Sequence, residues 1–154
     1  MQIEITGDLL ELAKTKEIDV IVHGCNCFNN MGAGIAKQIA KEFPLAAKID
    51  SLTTHGDKNK LGSLTTAYIE EFDLNIVNAY TQFAYGGGKV NADYDAIKKC
   101  FDTIAKVVEL TGEVVAYPKI GAGLAGGDWK KINEIINESM KNVETHYLVN
   151  YHLD

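Results

Sequence analysis

The chain reads as an α/β three-layer sandwich with a mixed central sheet. Short apolar runs of strand length alternate with runs of helical period, and glycine-rich loops stand at two strand-to-helix joins. Two strand-like runs also follow one another directly at residues 64–79.

Gln2 to Ile5 alternates as a strand, and Asp8 to Lys14 reads as a short helix. Ile18 to His23 is a nearly continuous apolar run, the signature of a strand buried on both faces. Ala33 to Phe43 then places Ile35, Ala36, Ile39, Ala40 and Phe43 on one helical face, and Pro44 is expected to close that helix. A second short helix is expected to about Thr54. Leu64 to Glu70 and Leu74 to Ala79 read as strands joined through Glu71, Phe72 and Asp73. Residues 93 to 110 form an amphipathic helix with Ile97, Phe101, Ile104, Ala105 and Val108 turned inward. Val114 to Tyr117 is a strand, Asp128 to Lys141 a helix, and Thr145 to Asn150 the last strand.

The two glycine loops are Met31-Gly32-Ala33-Gly34-Ile35-Ala36 and Ile120-Gly121-Ala122-Gly123-Leu124-Ala125-Gly126-Gly127. Glycine lets backbone N–H groups approach an anion closely, and the helix that follows offers its positive N-terminal end. Two such loops suit a ligand with two phosphoryl groups. Ligands of α/β sheets gather beyond the carboxyl ends of the strands, where both loops are expected.

With 154 residues, 46% hydrophobic and 23% charged, the chain is expected to form one domain over residues 1–154. No apolar run reaches the ~20 residues of a membrane span, and the first residues lack the order of a signal peptide, so a cytoplasmic protein is expected. Three cysteines, Cys25, Cys27 and Cys100, agree with a reducing compartment. A net charge of −6 argues against nucleic-acid or membrane partners, which bind through a basic footprint. All fifteen basic residues are lysine. Without a guanidinium fork, phosphate must be held by backbone amides, hydroxyls or lysine.

Gly121-x-Gly123-x-x-Gly126 also satisfies a dinucleotide fingerprint. The context fails it, because only one helix and one strand follow, and the acidic residue near the expected offset, Glu144, precedes the last strand instead of ending it. Neither loop carries the Gly-Lys-Ser/Thr ending of a nucleotide triphosphatase.

In order along the chain, Gly7-Asp8-Leu9, Val22-His23-Gly24-Cys25-Asn26-Cys27, the first glycine loop and Pro118-Lys119-Ile120 running through the second loop to Asp128-Trp129 resemble the macrodomains, a family that binds ADP-ribose. The segment around His23 followed by the glycine loop looks most like the branch that includes the yeast ADP-ribose 1″-phosphate phosphatase. The resemblance implies a cleft for ADP-ribose, with Asp8 and the Leu9 backbone reading adenine and the two loops holding the diphosphate. From Gly24, Cys25, Met31, Gly32, Ala33, Gly34, Ile35 and Ala36 on one side it implies contacts to the ligand. Ile120, Gly121, Ala122, Gly123, Leu124 and Ala125 would face them, with Tyr151 stacking on adenine.

Several of these residues have a plainer reading. Asp8 and Asp128 are good helix N-caps, and Asn26 suits a turn. The resemblance makes Asn26 a distal-ribose and catalytic residue and puts Asp128 where it could orient a water. His23 is either a neutral core histidine or a proton carrier pointing at the cleft. Cys25 and Cys27 with His23 fall short of a closed four-ligand zinc site and read as buried thiols, so no metal and no cofactor is expected. Tyr80, Gln82, Tyr85 and Gly86-Gly87-Gly88 read as a loop that either covers the distal ribose or simply connects.

One departure matters. In the branch that removes ADP-ribose from acidic side chains by a lysine–aspartate route, the aspartate follows Gly-x-Gly-Leu, and here that place is Ala125. The strand Ile76 to Tyr80 has no lysine either. The reading is therefore a monomeric macrodomain hydrolysing ADP-ribose 1″-phosphate, through His23, Asn26 and Asp128. A mono-ADP-ribosyl hydrolase acting on modified macromolecules, or a non-catalytic reader of ADP-ribose, is the alternative.

Overall fold

The structure, a computed structural model, describes residues 1–151. Strands β1 (Gln2–Gly7), β2 (Val20–Cys25), β3 (Leu64–Ile69), β4 (Leu74–Tyr80), β5 (Val115–Tyr117) and β6 (His146–Tyr151) form one sheet in the order β1-β6-β5-β2-β4-β3. Every neighbouring pair is parallel except β3 with β4. That exception is the mixed element of the sheet. The turn between them ends at Asp73 in the left-handed region, φ 48°, as a short return between antiparallel strands demands.

Helices α1 (Leu9–Ala13), α2 (Gly34–Glu42) and α3 (Pro44–Ser51) contribute to one core, and α4 (Tyr94–Thr111) with α5 (Trp129–Ser139) to the other. The pleat of β2 divides its residues between them. Val20 and Val22 pack with Ile97, Phe101 and Ile136 on the α4–α5 side, whereas Ile21 packs with Ile39, Ala46 and Ile76 on the other. Each large side chain sealed in this way contributes about 1.5 to 3 kcal/mol. α4 shows the expected inward stripe and ends at Gly112 with φ 73°, a conformation that glycine adopts without strain.

As expected, α2 closes just before Pro44: Phe43, with ψ 73°, leaves helical backbone as a residue before proline tends to, and Pro44 opens α3 in its first turn, where its missing N–H costs nothing. Because five strands run parallel, Gly7, Tyr151, Tyr117, Cys25 and Tyr80 all reach the same edge of the sheet. The loops that follow β2, β4 and β5 share that edge.

Candidate functional site

Beyond that edge lies a cleft of about 600 Å³, within the size range of small-ligand sites. Its long walls come from the two glycine loops. Gly24, Cys25, Asn26, Ala33, Gly34, Ile35 and Ala36 face Ile120, Gly121, Gly123, Leu124 and Ala125. A methyl built on Gly34 would stand 3.7 Å from Leu124 Cδ1, so the loops do converge. A second depression opens next to it, lined by Ala122, Val149, Asn150 and Tyr151, and shares Pro118, Lys119 and Gly123 with the first.

The first loop is built by asparagines. Asn26 Oδ1 accepts from the N–H groups of Phe28 (2.9 Å) and Asn30 (3.4 Å), and its Nδ2 donates to Asn30 O at 2.8 Å. Asn30 Oδ1 in turn accepts from Gly32 N at 2.8 Å. Asn29, at φ 55°, is pinned from behind: its Nδ2 donates to Asp50 O and Thr53 O, and the buried Lys60 Nζ donates to its Oδ1 at 3.0 Å. The chain thus enters α2 on a fixed path.

What α2 lacks is a cap. Ala33 holds the N-cap position in extended backbone and offers no side-chain acceptor. Among the described residues, the N–H groups of Gly34, Ile35 and Ala36 have no protein acceptor, and they begin the helix at the cleft wall. Opposite them, the N–H groups of Gly123, Leu124 and Ala125 are also uncommitted, while those of Gly126 and Gly127 close the turn on Gly123 O (3.0 Å) and Gly121 O (2.7 Å). Two sets of backbone donors face one space, and the positive end of α2 adds its field. Lys119 is the one charged residue lining either depression, among the described residues. Among the described residues no carboxylate lines them, although the chain carries a net charge of −6.

Two of the expected catalytic groups stand elsewhere. His23 does not point at the cleft; it follows Ile21 onto the other face of β2 and is fully buried, because alternate residues of a strand face opposite sides. Asn78 Nδ2 donates to Ala46 O (3.1 Å) and Thr65 Oγ1 (3.2 Å), which leaves Asn78 Oδ1 to accept the Nε2 proton of His23 at 2.6 Å. Burial lowers the His23 pKa to about 4, so the ring is neutral near pH 7. Asp128 lies outside the lining of both depressions. It is exposed and caps α5, its Oδ1 accepting from Lys130 N at 3.0 Å while its own N–H donates to Tyr94 Oη at 3.1 Å.

Other expected contacts are also displaced from the cleft surface. Met31 packs against the α1–α3 core, and Gly32 is taken up by the Asn30 turn. Asp8 caps α1, Oδ1 accepting from Leu10 N (2.9 Å) and Glu11 N (3.3 Å), and Leu9 buries its side chain. Asp8 is outside the lining of the second depression, but it directly follows Gly7, which pairs across the sheet with Tyr151, one of that depression's residues. Cys25, Cys27 and Cys100 are buried free thiols, and burial raises the pKa of all three.

The sequence reading passed over Asn30 and Lys119 as site residues. A signal existed for both: Asn30 stands two residues before a glycine, an Asx-turn spacing, and Lys119 is the single cation of the second motif. Gln82, Tyr85, Gly86 and Gly88, from the loop after β4, complete the lining.

The Macro domain family model matches residues 22–136. An uncharacterized 17.5 kDa protein of Enterobacteria phage T4 is 36% identical over 91% of this chain and 90% of its own length. An ADP-ribose 1″-phosphate phosphatase of Debaryomyces hansenii is 31% identical over 87% of this chain and 91% of its own. Among solved structures, the macrodomain of Mycobacterium tuberculosis DarG superposes with a TM-score of 0.77 at 20% identity, covering 100% of this chain and 99% of that one. In sequence and in fold, the chain belongs to the Macro domain family.

Proposed function

We propose that the cleft binds ADP-ribose and that the protein hydrolyses ADP-ribose 1″-phosphate to ADP-ribose and phosphate. The observation that carries this reading is the uncapped start of α2 facing the free amides of Gly123, Leu124 and Ala125. A diphosphate between them would satisfy both sets of donors without an arginine. Adenine would occupy the second depression beside Tyr151, read by Asp8 Oδ2 and the Leu9 N–H. The distal ribose would then lie by Asn26, Asn30 and Gln82, beyond the ends of β2 and β4. The Debaryomyces hansenii relative, a phosphatase by name, supports the choice of substrate.

In the reaction, water attacks the terminal phosphorus, the bond from phosphorus to the 1″ oxygen breaks, and that oxygen leaves on ADP-ribose with a proton. Such transition states are loose and need charge stabilisation more than a strong base. Asn26, whose Nδ2 retains one proton beyond its bond to Asn30, and the cleft amides would supply that stabilisation. Among the described residues the lining holds no carboxylate or imidazole, which favours a second reading, in which the protein only holds ADP-ribose. Calorimetry with ADP-ribose should give saturable one-to-one binding, and absence of binding ends both readings. Phosphate release from ADP-ribose 1″-phosphate, inhibited by ADP-ribose, selects the enzyme; tight binding without release selects the reader.

A further inference from the structure

We propose that Tyr85 and Asn30 form a strap across the distal end of the cleft, selecting ADP-ribose with a small terminal group over ADP-ribose attached to a protein. The inference rests on the ADP-ribose reading above. Asn30 Nδ2 donates to Tyr85 Oη at 2.9 Å, joining the loops that leave the neighbouring strands β2 and β4. Both residues line the cleft, at the end away from Tyr151. The cleft therefore runs on into the second depression at one end and is bridged at the other.

The two jaws of the strap differ in stiffness. Asn30 is fixed at three points: its N–H and carbonyl are bound by the Asn26 side chain, and its Oδ1 by Gly32 N. Tyr85 leads into Gly86, Gly87 and Gly88, with φ of 74°, 76° and 63°, and the Asn91 Nδ2 bond to Gly86 O at 3.0 Å ties that turn to the segment entering α4. Tyr85 is 53% exposed, so it roofs the cleft instead of filling the core. A phosphoryl group on the 1″ oxygen is compact enough to sit beneath such a roof. A polypeptide linked at the same oxygen must leave through it, and each molecule bound that way has to displace the Asn30–Tyr85 bond and the ring.

The test compares affinities of free ADP-ribose and of a peptide carrying ADP-ribose on serine, for the wild type, Tyr85→Phe and Tyr85→Ala. The wild type should prefer the free ligand by at least about tenfold, which is about 1.4 kcal/mol. Tyr85→Phe, which loses only the hydrogen bond, should narrow that ratio by about threefold, and Tyr85→Ala, which also loses the ring, by tenfold or more. Equal wild-type affinities, or a ratio unmoved in both variants, overturn the strap while leaving the ADP-ribose reading intact. A wild type that ignores free ADP-ribose overturns both.

Discussion

The two glycine loops look alike in sequence and do opposite things to the helices they start. The β2–α2 loop leaves its helix end without a side-chain cap, while the β5–α5 loop delivers Asp128 into that position. α1 and α4 are also capped by aspartate, through Asp8 and Asp93. Among the helices that open on the cleft edge, α2 alone keeps its positive end unfilled, among the described residues. The protein forgoes a cap worth about 0.5 to 2 kcal/mol at the end where, on the proposed reading, the diphosphate supplies one. The second loop contributes a wall of amides, but its helix dipole is already answered from within.

The most direct way to break the comparison is to give α2 what the others have. Ala33 already holds extended N-cap backbone, φ −145° and ψ 160°, so Ala33→Asp needs no rearrangement. Its carboxylate should raise the thermal midpoint while it repels the diphosphate and takes its donors, a conflict of several kcal/mol. ADP-ribose affinity should fall by on the order of a thousandfold by calorimetry. Affinity retained alongside the gain in stability would mean that the start of α2 does not hold the ligand.

Acid should sharpen the contrast from below. His23 supports the end of β2 in its neutral form, its pKa lowered to about 4 by burial, whereas an unfolded histidine titrates near 6.5. Its contribution is complete above about pH 6.5 and is lost as pH falls towards 4, on the order of 2 to 3 kcal/mol. His146, lowered to about 4 by burial and by the N-terminal ammonium, adds loss in the same window. Denaturation midpoints measured from pH 7 to 4 should fall steeply, and His23→Gln should flatten the slope. An unchanged slope would show that His23 titrates normally.

Within the second loop, two glycines that read identically should separate. A methyl on Gly127 would come within 2.6 Å of Gly121 O and 2.8 Å of Ile132 Cδ1, whereas nothing lies within 4 Å of one on Gly123. Gly127→Ala should cost about 2 kcal/mol in chemical denaturation and Gly123→Ala under about 0.5. Equal costs would mean that the turn is not held by close packing against α5.

The sheet and its helices could be read from apolar periodicity because burial imposes it on every strand and helix that faces the core. The convergence of the loops could be read as well, since glycine at a strand-to-helix join has few other uses. Side-chain direction could not. His23 ends an apolar strand whether it faces cleft or core, and only the pleat counted from Ile21 puts it opposite Asn78. Asn30 and Tyr85 meet across 55 positions of sequence, a contact that no local pattern announces. Pro44, by contrast, was legible: proline disfavours helical backbone at the residue before it and is tolerated in a first turn, so it marks where α2 ends and α3 begins.

Asp128 is where sequence and geometry part most plainly, and its variant has the smallest expected effect. As an activator of water it would be indispensable to phosphate release. As the cap of α5, with Oδ1 on Lys130 N and no place in the lining, it should matter to stability alone. Asp128→Ala should therefore cost about 1 kcal/mol in denaturation and leave phosphate release per folded molecule within about twofold, a margin of ~0.4 kcal/mol in the barrier. Asp128→Asn, which keeps an acceptor at the same position, should recover most of the lost stability. A collapse of release in both variants, with stability intact, would return the carboxylate to the chemistry and require the β5–α5 loop to move when ligand binds.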